Sequence, residues 1–189
     1  MTIPNLQIRR ANVEDLPRLI PLWKEENLPW AELEKRFKEF QVAAGEGGEL
    51  LGALGMQIAG LEGCLYGEVF LHPEQADELR DQLWERMQVI AKNHGIFRVW
   101  TQLATPFWDH NGFNPANAEL LAKRPAAFPD DAHAWLFIQL REEPVGIPPS
   151  IEKEFALFKE AERARTEVLA VLHLPRKIAN KKRPRYSRH

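Results

Sequence analysis

The stretch richest in possible chemistry reads G-E-V-F-L-H-P over residues 67–73 and continues E-Q-A-D-E-L-R-D over 74–81. An apolar strand runs through a proline into a long amphipathic helix. In a regular strand Cys64, Tyr66, Glu68 and Phe70 share one face. An acid between Tyr66 and Phe70 loses hydration, and its pKa rises toward what a general base for an amine needs. The competing assignment is a strand glutamate that faces solvent or pairs with an arginine. Just beyond lies a helix start, whose unpaired backbone N–H groups are a common seat for phosphate. This one carries Asp77, Glu78 and Asp81, with no glycine between Gly67 and Gly95. Acids in a first turn also favour the helix dipole by about 0.3–1 kcal/mol each, which accounts for them without a ligand.

The elements that would position these residues follow from periodicity. Leu6 to Arg10 alternates as a short strand. Asn12 can cap a helix carrying Leu16, Leu19, Ile20 and Trp23, which Pro21 is expected to bend or end early. Trp30, Leu33, Phe37 and Phe40 mark a second helix. Strands are expected over 41–45, 50–60 and 64–71, a helix over 75–94 closed by Gly95, and a strand over 96–103. A short helix over 105–111 stops at Gly112, residues 114–132 read as proline-rich and irregular, and a strand over 134–141 ends the body. The order β-α-α-β-β-β-α-β-α-β predicts an α/β (α+β) fold, a mixed central sheet flanked by helices.

Two stretches within that order resemble the GNAT superfamily of acyltransferases. V-F-L-H-P, residues 69–73, resembles the end of that family's fourth strand before its long third helix. F-W-D-H-N-G-F, residues 107–113, resembles its F-Y-x-x-x-G-F helix. The resemblance spans about residues 6–141 and implies acetyl-CoA or another acyl-CoA as cofactor if the protein is active. The acceptor would then be a small amine or a protein amine. It implies coenzyme contacts at Leu71, His72, Gln75, Ala76, Leu79 and Arg80, and a base at Glu68. Both stretches depart from the family. Its R/Q-x-x-G-x-G/A turn is replaced by Gln75-Ala76-Asp77-Glu78-Leu79-Arg80-Asp81. A like-charge pair at ~4 Å costs about 4 kcal/mol at an effective dielectric of 20, roughly a thousandfold in affinity. Trp108 stands where many members hold a tyrosine that protonates the departing thiolate, and an indole N–H is not a usable acid. Tyr66 and His110 are the candidate substitutes.

The remaining signal is a charge break. The 189 residues have a net charge of −2, yet all 27 acids precede residue 168 and face 18 bases there, a balance of −9. Residues 168–189 hold no acid and seven bases: Arg176, Lys177, Lys181, Lys182, Arg183, Arg185 and Arg188, with Tyr186 among them. Such a tail can neutralise phosphates and stack on a base; it can equally be a solvated extension. The expected division is a GNAT-like domain over 1–144, then a linker, an appended amphipathic helix and the basic tail over 145–189. The six histidines and single cysteine give no metal-ligand spacing, so no metal is expected. No apolar run is long enough to span a membrane, and a cytoplasmic protein is expected. Two functions stay open: an N-acyltransferase descendant with impaired coenzyme binding and catalysis, or a non-catalytic module contacting RNA or a ribonucleoprotein through its tail.

Overall fold

A computed structural model describes residue 3 and residues 5–129 and 134–143. The linker, appended helix and basic tail expected over 145–189 lie outside these residues. Seven strands form one sheet: β1 (Gln7–Arg10), β2 (Phe40–Ala44), β3 (Leu50–Ala59), β4 (Glu62–Phe70), β5 (Arg98–Thr101), β6 (Asn114–Pro115) and β7 (Leu136–Gln139). Their spatial order is β1-β2-β3-β4-β5-β7-β6. The pairs are antiparallel except β4 with β5, which run parallel and are joined by a helix.

Helices α1 (Leu16–Glu25) and α2 (Trp30–Lys35) cover one face. Their Leu19, Trp23 and Leu33 pack on Phe40, Val42 and Val69. Helix α3 (Ala76–Asn93) covers the other face, where Leu79, Leu83 and Met87 meet Leu54, Met56 and Leu65. Helices α4 (Pro106–His110) and α5 (Ala118–Lys123) lie in the last third of the body. Asn12 accepts from the Glu14 N–H, and Asp15 accepts from the Asn12 N–H, so the cap expected at Asn12 forms reciprocally, on a 3₁₀ turn over Val13–Asp15 that leads into α1 rather than on α1 itself.

Three expectations change. Pro21 lies inside α1, which continues to Glu25 because Leu22 and Trp23 beyond it are buried. The proline forfeits an interior hydrogen bond to the Pro17 carbonyl, and the burial of Leu22 and Trp23 offsets that loss. Phe40 opens β2 rather than closing α2, since the chain leaves the helix through a 3₁₀ turn at Phe37–Glu39. Residues 114–129, read as irregular, contain β6 and α5, the latter capped by Asn117. Their Phe128 and Leu120 pack with Cys64, Trp100 and Trp135.

The fourth change matters most for function. Ala53 faces Val69 while Gly55 faces Tyr66, so three steps along β4 match two along β3. This is a β-bulge at Gly67 and Glu68, and it reverses the alternation that follows. Tyr66 and Val69 therefore pack beside α1 and α2, whereas Leu65 and Phe70 pack beside α3. The single face expected for Cys64, Tyr66, Glu68 and Phe70 is split: Glu68 and Phe70 lie on the α3 side, opposite Tyr66. Gly67 permits this with φ of 65°, and a Cβ there would sit 2.8 Å from the Phe40 ring.

Gly67→Ala must strain the left-handed backbone and displace Phe40. We expect it to lower stability by at least about 1–2 kcal/mol in urea unfolding. An unchanged midpoint would show that β4 loses the bulge without cost.

Candidate functional site

The site grows from the place where β4 and β5 part. Their pairing begins at Glu62 with Arg98 and ends at Leu65 with Thr101. There the Thr101 hydroxyl donates to the Leu65 carbonyl at 3.3 Å and accepts from the Leu103 N–H at 3.1 Å. Beyond this rung β4 continues to Phe70 while the other strand gives way to α4. Among the described residues, Tyr66 to Phe70 have no strand partner on that side, which makes a fork in the sheet. Its foot is tied by Glu62, which accepts from Trp100 Nε1 at 2.5 Å and from buried Arg98 at 3.4 Å. Burial pushes the Glu62 carboxyl above the usual value despite those two donors.

Arg80 spans the fork. Its guanidinium carbon lies 4.9 Å from the Phe70 ring on one wall and 5.6 Å from the Phe107 ring on the other. Its Nε donates to Glu68 at 2.9 Å, and its Nη1 donates to Asp77 at 2.5 Å. The side chains of Arg80 and Glu68 are 10% and 8% exposed, so this ion pair is nearly out of water. Burial raises the Glu68 pKa, and the pull of Arg80 in the opposite direction does not cancel it. Such an outcome is expected where desolvation exceeds the Coulomb gain.

The helix start offers little to a phosphate. A 3₁₀ turn at Pro73–Gln75 precedes α3, and there the Gln75 N–H bonds the His72 carbonyl and the Ala76 N–H bonds that of Pro73. The Leu71 N–H is held by the Leu51 carbonyl. Of the candidate coenzyme contacts, Ala76 and Leu79 are buried and Arg80 is committed to Glu68, while Leu71 is exposed. The carboxylates divide: Asp77 bonds Arg80, Glu78 accepts from the Ile3 N–H at 2.9 Å, and Asp81 is exposed. These residues do not fit a diphosphate: no glycine admits it, and the Gln75 and Ala76 N–H groups are already bonded.

Glu68, Tyr66 and His110 are not brought together. The Tyr66 hydroxyl donates to Glu39 at 2.7 Å on the opposite side of the sheet. Burial, reinforced by Glu39, pushes its pKa above its ordinary value, and its proton is directed at Glu39 rather than into the fork. His110 is exposed at the end of α4. Trp108 is fully buried, edge-on to Trp84 and Phe113, and among the described residues its Nε1–H has no partner. Sequence reasoning missed Phe107 as a wall and Glu39 as the partner of Tyr66. It also placed Arg80 toward a coenzyme rather than on Glu68. A glycine in mid-strand is the signal that could have exposed the bulge.

No protein-family model matches this sequence, and no curated protein matches it. Solved structures do. N-acetylglutamate synthase from Neisseria gonorrhoeae, in complex with coenzyme A and L-arginine, is 18% identical at a TM-score of 0.59. The match covers 73% of this chain and 34% of the synthase, so the chain spans about a third of that protein's length. A GNAT-family acetyltransferase from Staphylococcus aureus Mu50 matches at TM-score 0.60 and 16% identity, over 72% of this chain and 99% of its own. The ribosomal-protein-S18-alanine N-acetyltransferase of Escherichia coli matches at 0.55 and 15%, over 76% and 99%. The described body has the GNAT fold, as the element order and the two short stretches implied.

Two expectations follow for the buried pair. Arg80→Leu leaves the Glu68 carboxylate alone among apolar walls and should cost roughly 3–5 kcal/mol at neutral pH, with part of the loss recovered when Glu68→Leu is added. The raised Glu68 pKa means that its contribution to stability is complete below the unfolded value near 4.5 and is lost as pH rises through the folded value. Glu68→Gln removes that loss, so its stability relative to the parent should improve as pH rises through this window. Urea unfolding of both proteins across acid to neutral pH measures the difference. A constant difference would show that Glu68 titrates normally.

Proposed function

We propose that this protein is of N-acyltransferase ancestry and that its own side chains fill its coenzyme cleft, so that acyl-CoA binds weakly and turnover is poor or absent. The observation that carries this reading is Arg80, wedged between Phe70 and Phe107 and bonded to Glu68 within the fork. A ligand entering there must displace a buried ion pair, and each half of that pair would then need a new partner. The bonded N–H groups at the start of α3 and the carboxylates around them support the same conclusion. The coenzyme-bound neighbour supports the ancestry and makes acetyl-CoA the first acyl-CoA to try. Should turnover be found, Glu68 is our candidate for the base that takes a proton from an amine once Arg80 releases it, and Glu68→Gln should slow it by about a hundredfold or more. Calorimetric titration with acetyl-CoA should give a dissociation constant of roughly 100 µM or weaker. A low-micromolar constant at physiological salt would overturn the reading.

A second reading takes the protein as a non-catalytic module that contacts RNA or a ribonucleoprotein through residues 173–189. The charge break favours it: seven bases without an acid follow a segment whose balance is −9. If several of Arg176, Lys177, Lys181, Lys182, Arg183, Arg185 and Arg188 neutralise phosphates, affinity should fall by orders of magnitude from low to moderate salt. The comparison is RNA binding by the full chain and by a chain ending at Leu172, across a salt series. Equal binding, or none by either, would remove the tail from any nucleic-acid role.

A further inference from the structure

A second cavity lies at the other end of the sheet from the fork, between the last turns of α3 and the adjoining ends of β1, β2 and β3. The pairing of Ile58 with Gly63 fixes that location, since Gly63 lies at the start of β4 and the fork opens near its end. The cavity holds about 520 Å³, within the range of roughly 300–1,000 Å³ typical of small-molecule sites. Its floor is apolar, made of Met56, Ile58, Met87 and Ile90.

Three cations surround that floor: Arg10, Lys38 and Arg86. Among the described residues none of them has a carboxylate at ion-pair distance. Glu39, which also lines the cavity, is bonded elsewhere: it pairs with Arg36 at 2.7 Å and accepts the Tyr66 hydroxyl. Two of the cations are positioned by single bonds that leave much of each guanidinium unbonded. Arg10 donates through Nε to the Lys38 carbonyl at 2.7 Å, and Arg86 donates through Nε to Gln41 at 3.3 Å. Gln41 is itself only 5% exposed, so the group that holds Arg86 is built into the wall. The three cations are exposed, and what sets this place apart from an ordinary basic face is the apolar hollow beside them and the buried Gln41 that anchors Arg86.

We propose that this cavity binds an organic anion with an apolar body, its chain lying on Met56, Ile58 and Ile90 and its charge held by Arg86 and Lys38. A guanidinium whose terminal N–H groups remain free presents a fork that matches a carboxylate. The apolar floor favours an organic anion over an inorganic ion, and three cations that have no carboxylate at ion-pair distance among the described residues favour it over a neutral ligand. The proposal is independent of the coenzyme reading, because it concerns a different end of the sheet.

The test is calorimetric titration of the full chain with octanoate, 1-octanol and inorganic phosphate. Octanoate should bind saturably at one site and at least ~10-fold more tightly than either control. Arg86→Gln should weaken octanoate about tenfold, and Lys38→Glu, at an exposed position, should do so without disturbing the fold. Octanol binding as well as octanoate would overturn the proposal. So would octanoate binding that Lys38→Glu leaves unchanged, or no saturable binding at millimolar octanoate.

Discussion

A carboxylate and a guanidinium buried together between two aromatic rings set the terms for the rest of this molecule. Neither Glu68 nor Arg80 could enter the protein alone without losing most of its hydration energy. Each is tolerated because the other is there, and because Phe70 and Phe107 present ring faces to the guanidinium. That arrangement fixes where α3 sits against β4 and where α4 sits against α3. Beside it Trp84, Trp108 and Phe113 pack together, with Trp108 edge-on to the other two rings.

The pair depends in turn on one extra residue in one strand. Without the bulge at Gly67, Glu68 would follow the alternation of Tyr66 and point toward α1. With it, an acid and a phenol two positions apart serve opposite faces: Glu68 meets Arg80, and Tyr66 meets Glu39. The bulge thus sets two ionisable groups of one strand to work on opposite faces of the sheet, each bonded to a residue of another element.

The element order, the strand that ends at His72-Pro73 and the helix after it were legible because their period and punctuation agree. Asn12 and Gly95 mark ends by local chemistry alone. What escaped reading is long-range. The helix–strand boundary at Phe40 is set by pairing with Gly55, not by propensity, and the cover made by residues 114–129 is set by Phe128 reaching Cys64. For the site, Glu68 and Arg80 were both singled out from sequence, but separately. Twelve residues apart on different elements, they could be joined only by knowing the phase of β4, and alternation gave the wrong phase because a bulge leaves no mark except its glycine. The three cations of the second cavity come from a strand, a turn and a helix, so no local window contains them.

The parallel register of β4 and β5 also bears on how the chain reaches this state. The antiparallel strands β2, β3 and β4 close through short turns, whereas Glu62 must find Arg98 across 36 positions with α3 already in between. Long-range parallel pairing is entropically slow, because loop closure precedes any reward from contact. The meander can therefore assemble early and wait, with the outer edge of β4 exposed to other chains, until the helix docks. During that interval the edge from Glu62 to Leu65, later covered by β5, is open to other chains, and a substitution that slows docking would prolong that exposure.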